Sequence, residues 1–116
     1  MNAFGDRFMK KLIEEKGWYY NGEDVTVVIT EQGFTDMLSF MDLRRYDMIV
    51  TNDYNEEVEH LNMTSREPPA AFLDEYRIDA INKLFRKSKV YSKEDLIAKK
   101  KRKIAEIREA ANLFEV

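Results

Sequence analysis

Near the amino terminus, apolar positions recur every three or four residues. Phe4, Phe8 and Leu12 trace one stripe, Met9 and Ile13 lie beside it, and Gly17 stands where a terminating glycine belongs. This spacing predicts a first helix over about residues 3–16. The pattern then changes. Trp18-Tyr19-Tyr20 is aromatic and strand-like, and Asn21-Gly22 is a strong signal for a two-residue hairpin, because both central positions of a type I′ turn need positive φ. Val25 to Thr30 is β-branched throughout and partly apolar on both faces, which predicts a strand in the middle of its sheet.

From Gly33 the helical period returns. Phe34, Met37, Leu38 and Met41 share a face and Leu43 widens it, predicting a second helix. Asp47 to Thr51 reads as a third strand, Asn52 to Asn55 as a turn, and Val58 to Met63 as an edge strand. Ser65-Arg66-Glu67-Pro68-Pro69 is the main boundary, since paired prolines suit the entry to a helix and not its interior. Phe72, Leu73, Tyr76, Ala80, Ile81, Leu84 and Phe85 then give a broad apolar helical face. Ser88 to Tyr91 breaks it. Ser92, with Asp95 three residues on, caps a last helix that runs to about Leu113. Ile97, Ile104, Ile107, Ala111 and Phe114 form a seam on that helix, interrupted by Lys100, which would permit a homodimer. The predicted fold class is α+β: a small, mostly antiparallel sheet of about three or four strands with helices packed on one face, followed by a C-terminal helical hairpin. Residues 1–64 form the α/β body and residues 65–116 the basic hairpin, packed together as one domain.

Composition narrows the chemistry. The 116 residues are 44% hydrophobic and 35% charged, as in a soluble globular domain. No cysteine is present, which removes disulfides, thiolate metal sites and thiol catalysis and fits a reducing, cytoplasmic setting. The first residues do not read as a secretory signal. Apolar runs such as Val27–Ile29 and Met48–Val50 fall far short of the ~20 residues a spanning helix needs, so no membrane partner is expected. Phosphate-cradling glycine motifs, a nucleophile elbow and a His-Glu-x-x-His motif are all absent.

His60 beside Glu59 has the makings of a general base with its orienting carboxylate, but neighbours on a strand point to opposite faces, and an edge-strand surface histidine is the expectation. Asp53, Asn55, Glu57 and Glu59 alternate and would share one face of an extended segment. They lack the glycine and glutamate of a calcium loop, so they read as a solvated acidic turn. Asp24, Asp36, Asp47 and Asp53 are not followed by the Glu-x-Lys element of a metal-dependent nuclease. The sequence therefore predicts no catalytic residue, no metal and no cofactor.

Charge is the most uneven property. Between Glu23 and Glu59 ten acids face two arginines, whereas between Lys83 and Lys103 ten cations face two acids. Within the second stretch, Lys99-Lys100-Lys101-Arg102-Lys103 steps round most of a helix and cannot hide on one face. Lys99, Lys100, Lys101, Arg102 and Lys103, with Lys87 and Lys89, are the predicted partner-binding residues. The reading is a non-catalytic interaction protein that binds another macromolecule through a charge-polarised surface. A protein is the first choice of partner, and nucleic acid is the alternative. In texture, with many Met, Tyr and Asp and no Cys, the chain resembles small accessory proteins of bacteriophages and mobile elements. Its tip, Ala110-Ala111-Asn112-Leu113-Phe114, resembles the sliding-clamp-binding peptides of bacterial replication proteins, with Ala110 in place of their leading glutamine; core packing of Leu113 and Phe114 is the expected role.

Overall fold

The computed structural model describes residues 4–98, and residues 101 and 105 beyond them. The chain runs through strand β1 (Phe4–Tyr20), β2 (Glu23–Asp36), β3 (Met41–Asn52) and β4 (Glu57–Arg66). A 3-10 turn at Ala70–Phe72 leads into helix α1 (Leu73–Lys87), and a two-residue strand β5 (Val90–Tyr91) follows. All five strands belong to one antiparallel sheet in the order β4-β3-β2-β1-β5. The sheet curls into a half-barrel, and α1 packs against its inner face.

This architecture corrects the expected fold class. The segment predicted as a first helix is β1. Its 17 residues lie along the 14 of β2, and the three extra residues are absorbed at register shifts between Asp6 and Phe8, Lys11 and Ile13, and Glu15 and Trp18. Each bulge reverses the phase of the strand's two-residue alternation and bends it. Phe8, which lies under Arg44, and Leu12 and Ile13, which pack against the core, therefore fall at four- and five-residue intervals and imitate a helical stripe. Gly17, at φ +86°, belongs to the third shift rather than to a helix end.

The second predicted helix is absent too. β2 continues to Asp36, a four-residue turn follows, and β3 starts at Met41, so the apparent stripe Phe34–Met37–Leu38–Met41 straddles a hairpin tip. Pairing decides the outcome, because β2 has a full-length neighbour on each side and buries every odd position from Val25 to Gly33. No C-terminal helical hairpin is evident among the described residues. After α1 the chain forms β5, and residues 93–98 are helical. Ser92 caps that turn as expected, its Oγ accepting the Asp95 N–H at 3.2 Å. The seam predicted on the last helix lies outside the described residues apart from Ile97.

Other expectations hold. Asn21 and Gly22 take φ +50° and +83° in the β1–β2 turn. Val25 to Thr30 lies in the central strand, and Val58 to Met63 lies in β4 at the sheet edge. Asn52 organises the β3–β4 turn by accepting the N–H groups of Tyr54 and Glu56 on its Oδ1, both at 3.0 Å.

The core lies between the sheet's inner face and α1. Val25, Val27 and Ile29 of β2 and Tyr46, Met48 and Val50 of β3 meet Ala80 and Leu84 of the helix. Trp18 at the end of β1 packs its ring 4.7 Å from that of Phe85. No helix among the described residues is long and apolar enough to cross a membrane.

Candidate binding site at the hairpin tip

The β2–β3 turn is built to display apolar side chains. Asp36 ends β2, and its carboxylate accepts the Leu38 N–H at 3.0 Å and the Ser39 hydroxyl at 2.8 Å. These hydrogen bonds, Ser39's foremost, hold its carboxyl below the ordinary aspartate range. On the opposite strand Asp42 accepts the Thr35 hydroxyl at 2.7 Å. With both flanks tied down, Phe40 closes the turn at φ +56°, a conformation that bulky side chains resist. The result is a wedge: Leu38 is 84% exposed, Phe40 80% and Met37 53%. Three large apolar side chains within four residues, held in water by a tethered turn, are costly in solution and suited to a partner's pocket.

Behind the tip lies a groove of about 520 Å³ lined by Met41, Asp42, Arg66, Glu67, Pro68 and Leu73. Beneath it is a chain of ion pairs anchored on two buried residues, Glu31 and Arg44. Glu31, fully buried on β2, receives Arg77 of α1 at 2.9–3.1 Å and sits 3.0 Å from Arg44 Nη1. Arg44 also donates to Glu67 at 2.7 Å, and Glu67 pairs with Arg7 at 2.7 Å. The Arg44 guanidinium carbon lies over the Phe8 ring, 4.6 Å from its centroid. The register explains this placement: Phe8, Gly33 and Arg44 stand side by side on β1, β2 and β3, and the Phe8 ring lies where a Gly33 side chain would stand.

Burial pushes the Glu31 carboxyl up, but the hydrogen bonds and charges of Arg77, with Tyr46 and Arg44 nearby, outweigh it and leave the group below the usual glutamate range. The Arg7 hydrogen bond lowers Glu67. Glu67 in turn raises Arg7, and Glu31 raises Arg77. Burial beside Glu31 raises the Tyr46 hydroxyl, which makes no well-formed hydrogen bond. Every shift runs away from neutrality. The cluster holds charge and shape beneath the groove, and none of these groups is poised to exchange a proton at neutral pH.

The residues singled out from sequence lie elsewhere. Lys87, at the C-terminal end of α1, and Lys89 are exposed at the far end of the sheet from the tip, where the Lys89 backbone N–H donates to Glu59 at 3.0 Å. Lys101 is helical and exposed; Lys99, Lys100, Arg102 and Lys103 lie outside the described residues, as does the tip from Ala110 to Phe114. His60 is exposed on β4 as expected. Its carboxylate neighbours are Asp47, across the ladder at 3.0 Å, and Glu57 at 3.1 Å. Glu59 instead faces the helix side. A register shift near Val58 separates Glu57 from Glu59, so the alternating acids do not share a face. Among the described residues no group of acids and histidines is arranged to hold a metal ion.

Met37, Leu38, Phe40, Glu31, Arg44 and Arg77 were not singled out from the sequence. The signal for the tip was present in Asp36-x-x-Ser39, which is turn chemistry between two segments that alternate. It was masked by a chance helical spacing of Phe34, Met37, Leu38 and Met41. Comparison of the chain with known protein families, curated proteins and solved structures finds no match.

Proposed function

We propose that this chain is a non-catalytic binding module that docks on another protein by inserting the β2–β3 tip into an apolar pocket of its partner. The observation that carries the reading is the outward display of Met37, Leu38 and Phe40 on a turn fixed by Asp36 and Asp42. Interface anchors are large, rigid and desolvated on binding, and charges around them set orientation and encounter rate. Asp42, Arg66 and Glu67 beside the tip supply such a rim. Leu38→Asp tests this. It lies on an exposed turn, so the melting temperature should hold, while capture of the protein partner in a pull-down should fall by at least about tenfold, the effect of losing ~1.4 kcal/mol. Undiminished capture would remove the tip from the interface.

A second reading rests on a different surface. Lys87, Lys89 and Lys101 are exposed and have no ion-pair partner among the described residues. They would contact phosphates if the partner were a nucleic acid. Filter binding across a salt series separates the two: phosphate contacts predict a steep fall in affinity with salt, and binding through the tip predicts little change.

A further inference from the structure

The sheet has two outer edges, and they are treated differently. Along β1, β5 covers only Tyr19 and Tyr20, and the rest of the strand carries three register shifts together with Lys10, Lys11, Glu14, Glu15 and Lys16. Bulges and charges of this kind are what keep an open strand from pairing with a stranger. β4 carries a single register shift, near Val58 at its start, and no lysine. From Glu59 to Arg66 its ladder with β3 is unbroken, and residues 60–65 read His-Leu-Asn-Met-Thr-Ser, without proline, glycine, lysine or a bulge. No strand among the described residues pairs with its other side. On the outer face His60, Asn62, Thr64 and Arg66 are exposed, whereas Arg45, Asp47, Ile49 and Thr51 of neighbouring β3 are half-buried.

Charge along this edge is polarised. Glu56, Glu57 and Glu59 crowd its beginning and Arg66 stands at its end. A parallel neighbour of the same sequence would set like charges together. An antiparallel one sets the acidic start against the basic end, twice over. A two-fold axis perpendicular to the sheet keeps the inner faces of both copies on one side, which requires paired positions to be of the same parity. Centring the axis on Leu61 meets that requirement. It pairs Leu61 with its own counterpart on the inner side and His60 with Asn62 on the outer side; beyond the register shift at Val58 it sets Glu57 opposite Thr64 and diagonally beside Arg66 at both ends.

We infer that β4 is a self-pairing edge, through which two copies of this chain join antiparallel about Leu61 into one continuous sheet with Glu57 of each copy diagonally beside Arg66 of the other. This surface shares Arg66 with the rim beside the hairpin tip, but the pairing of the strands does not depend on the apolar side chains there.

Sedimentation equilibrium of the full chain tests the inference. The native chain should dimerise within the micromolar range. Arg66→Glu should weaken the dimer by about tenfold or more, because it sets like charges beside each other at both ends. Combining Arg66→Glu with Glu57→Arg should restore it, a rescue that damage to the fold would not produce. The absence of native cysteine allows a second readout: His60→Cys with Asn62→Cys should give a covalent dimer on mild oxidation, since the pairing sets these positions opposite each other. A monomeric native chain throughout that range, or failure of the charge exchange to rescue, overturns the inference.

Discussion

Replacing Glu31 by Gln removes one charge from the buried network at nearly constant volume, and the structure sets the size of the effect. Glu31 is 0% exposed and neutralises two guanidinium groups, that of Arg77 through three contacts at 2.9–3.1 Å and that of Arg44 at 3.0 Å. Arg44 retains Glu67 after the change, but Arg77 retains only Asp74, at 3.2 Å and almost fully in water. Breaking a buried pair on one side costs about 3–5 kcal/mol. The partial compensation of Arg44 and the one-fifth exposure of Arg77 place this case near the lower end, at ~3 kcal/mol. A domain of this size is stable by roughly 6–17 kcal/mol, so the variant should fold and its loss should be measurable. Urea unfolding followed by Trp18 fluorescence suits the purpose, because Trp18 rests on Phe85 of α1 and reports the docking of the helix directly. Arg77→Gln should cost a similar amount, and the double variant much less than the two single losses added together. A loss below about 1 kcal/mol for Glu31→Gln, or additive losses, would show that the pair behaves as a solvent-screened surface bridge and that the helix is held by apolar contacts alone.

Two further outcomes follow from the same geometry. Glu31 and Glu67 are both lowered from their ordinary value of 4.5, so the folded state binds these protons less tightly than the unfolded chain. Their stabilisation is present above pH 4.5 and is lost as pH falls through the folded-state values; acid titration of stability should slope less steeply below pH 4.5 in Glu31→Gln than in the native chain, and equal slopes would count against the buried ion pairs. Gly33→Ala would set a methyl group into the Phe8 ring and push it off Arg44, at a cost of about 1–3 kcal/mol; in a Phe8→Ala background the same change should be nearly neutral by thermal melting, and an equal cost in both backgrounds would disprove the contact.

How far the sequence foretold this molecule depended on whether a signal was local. Asn21-Gly22, the Asn52 turn, the paired prolines and Ser92 act within a few residues, and each appears where its chemistry places it. The first helix failed because a strand with three bulges loses its two-residue period, and nothing within the segment 3–16 announces the straight partner that forces those bulges. The second failed because Phe34 and Met41 belong to different strands. The site was less legible still. Glu31, Arg44 and Arg77 lie on three elements and meet only after the sheet curls, so no spacing in the sequence joins them. Charge counting pointed to Lys87, Lys89 and the run from Lys99 to Lys103; Lys87 and Lys89 are exposed, and the apolar tip that carries the proposed function sits at the opposite end of the sheet from them.

Phe40→Gly puts the central claim to its most direct trial, because it separates what the turn does for the fold from what it does for a partner. Glycine accepts the φ of +56° that phenylalanine resists, and the change takes an 80% exposed ring out of water. If the turn keeps this residue for binding, the variant should gain about 1 kcal/mol of stability, a rise of ~4 °C in melting temperature, while partner capture collapses. Capture at native strength in a variant that melts at the same temperature or higher would mean that the tip is not the anchor.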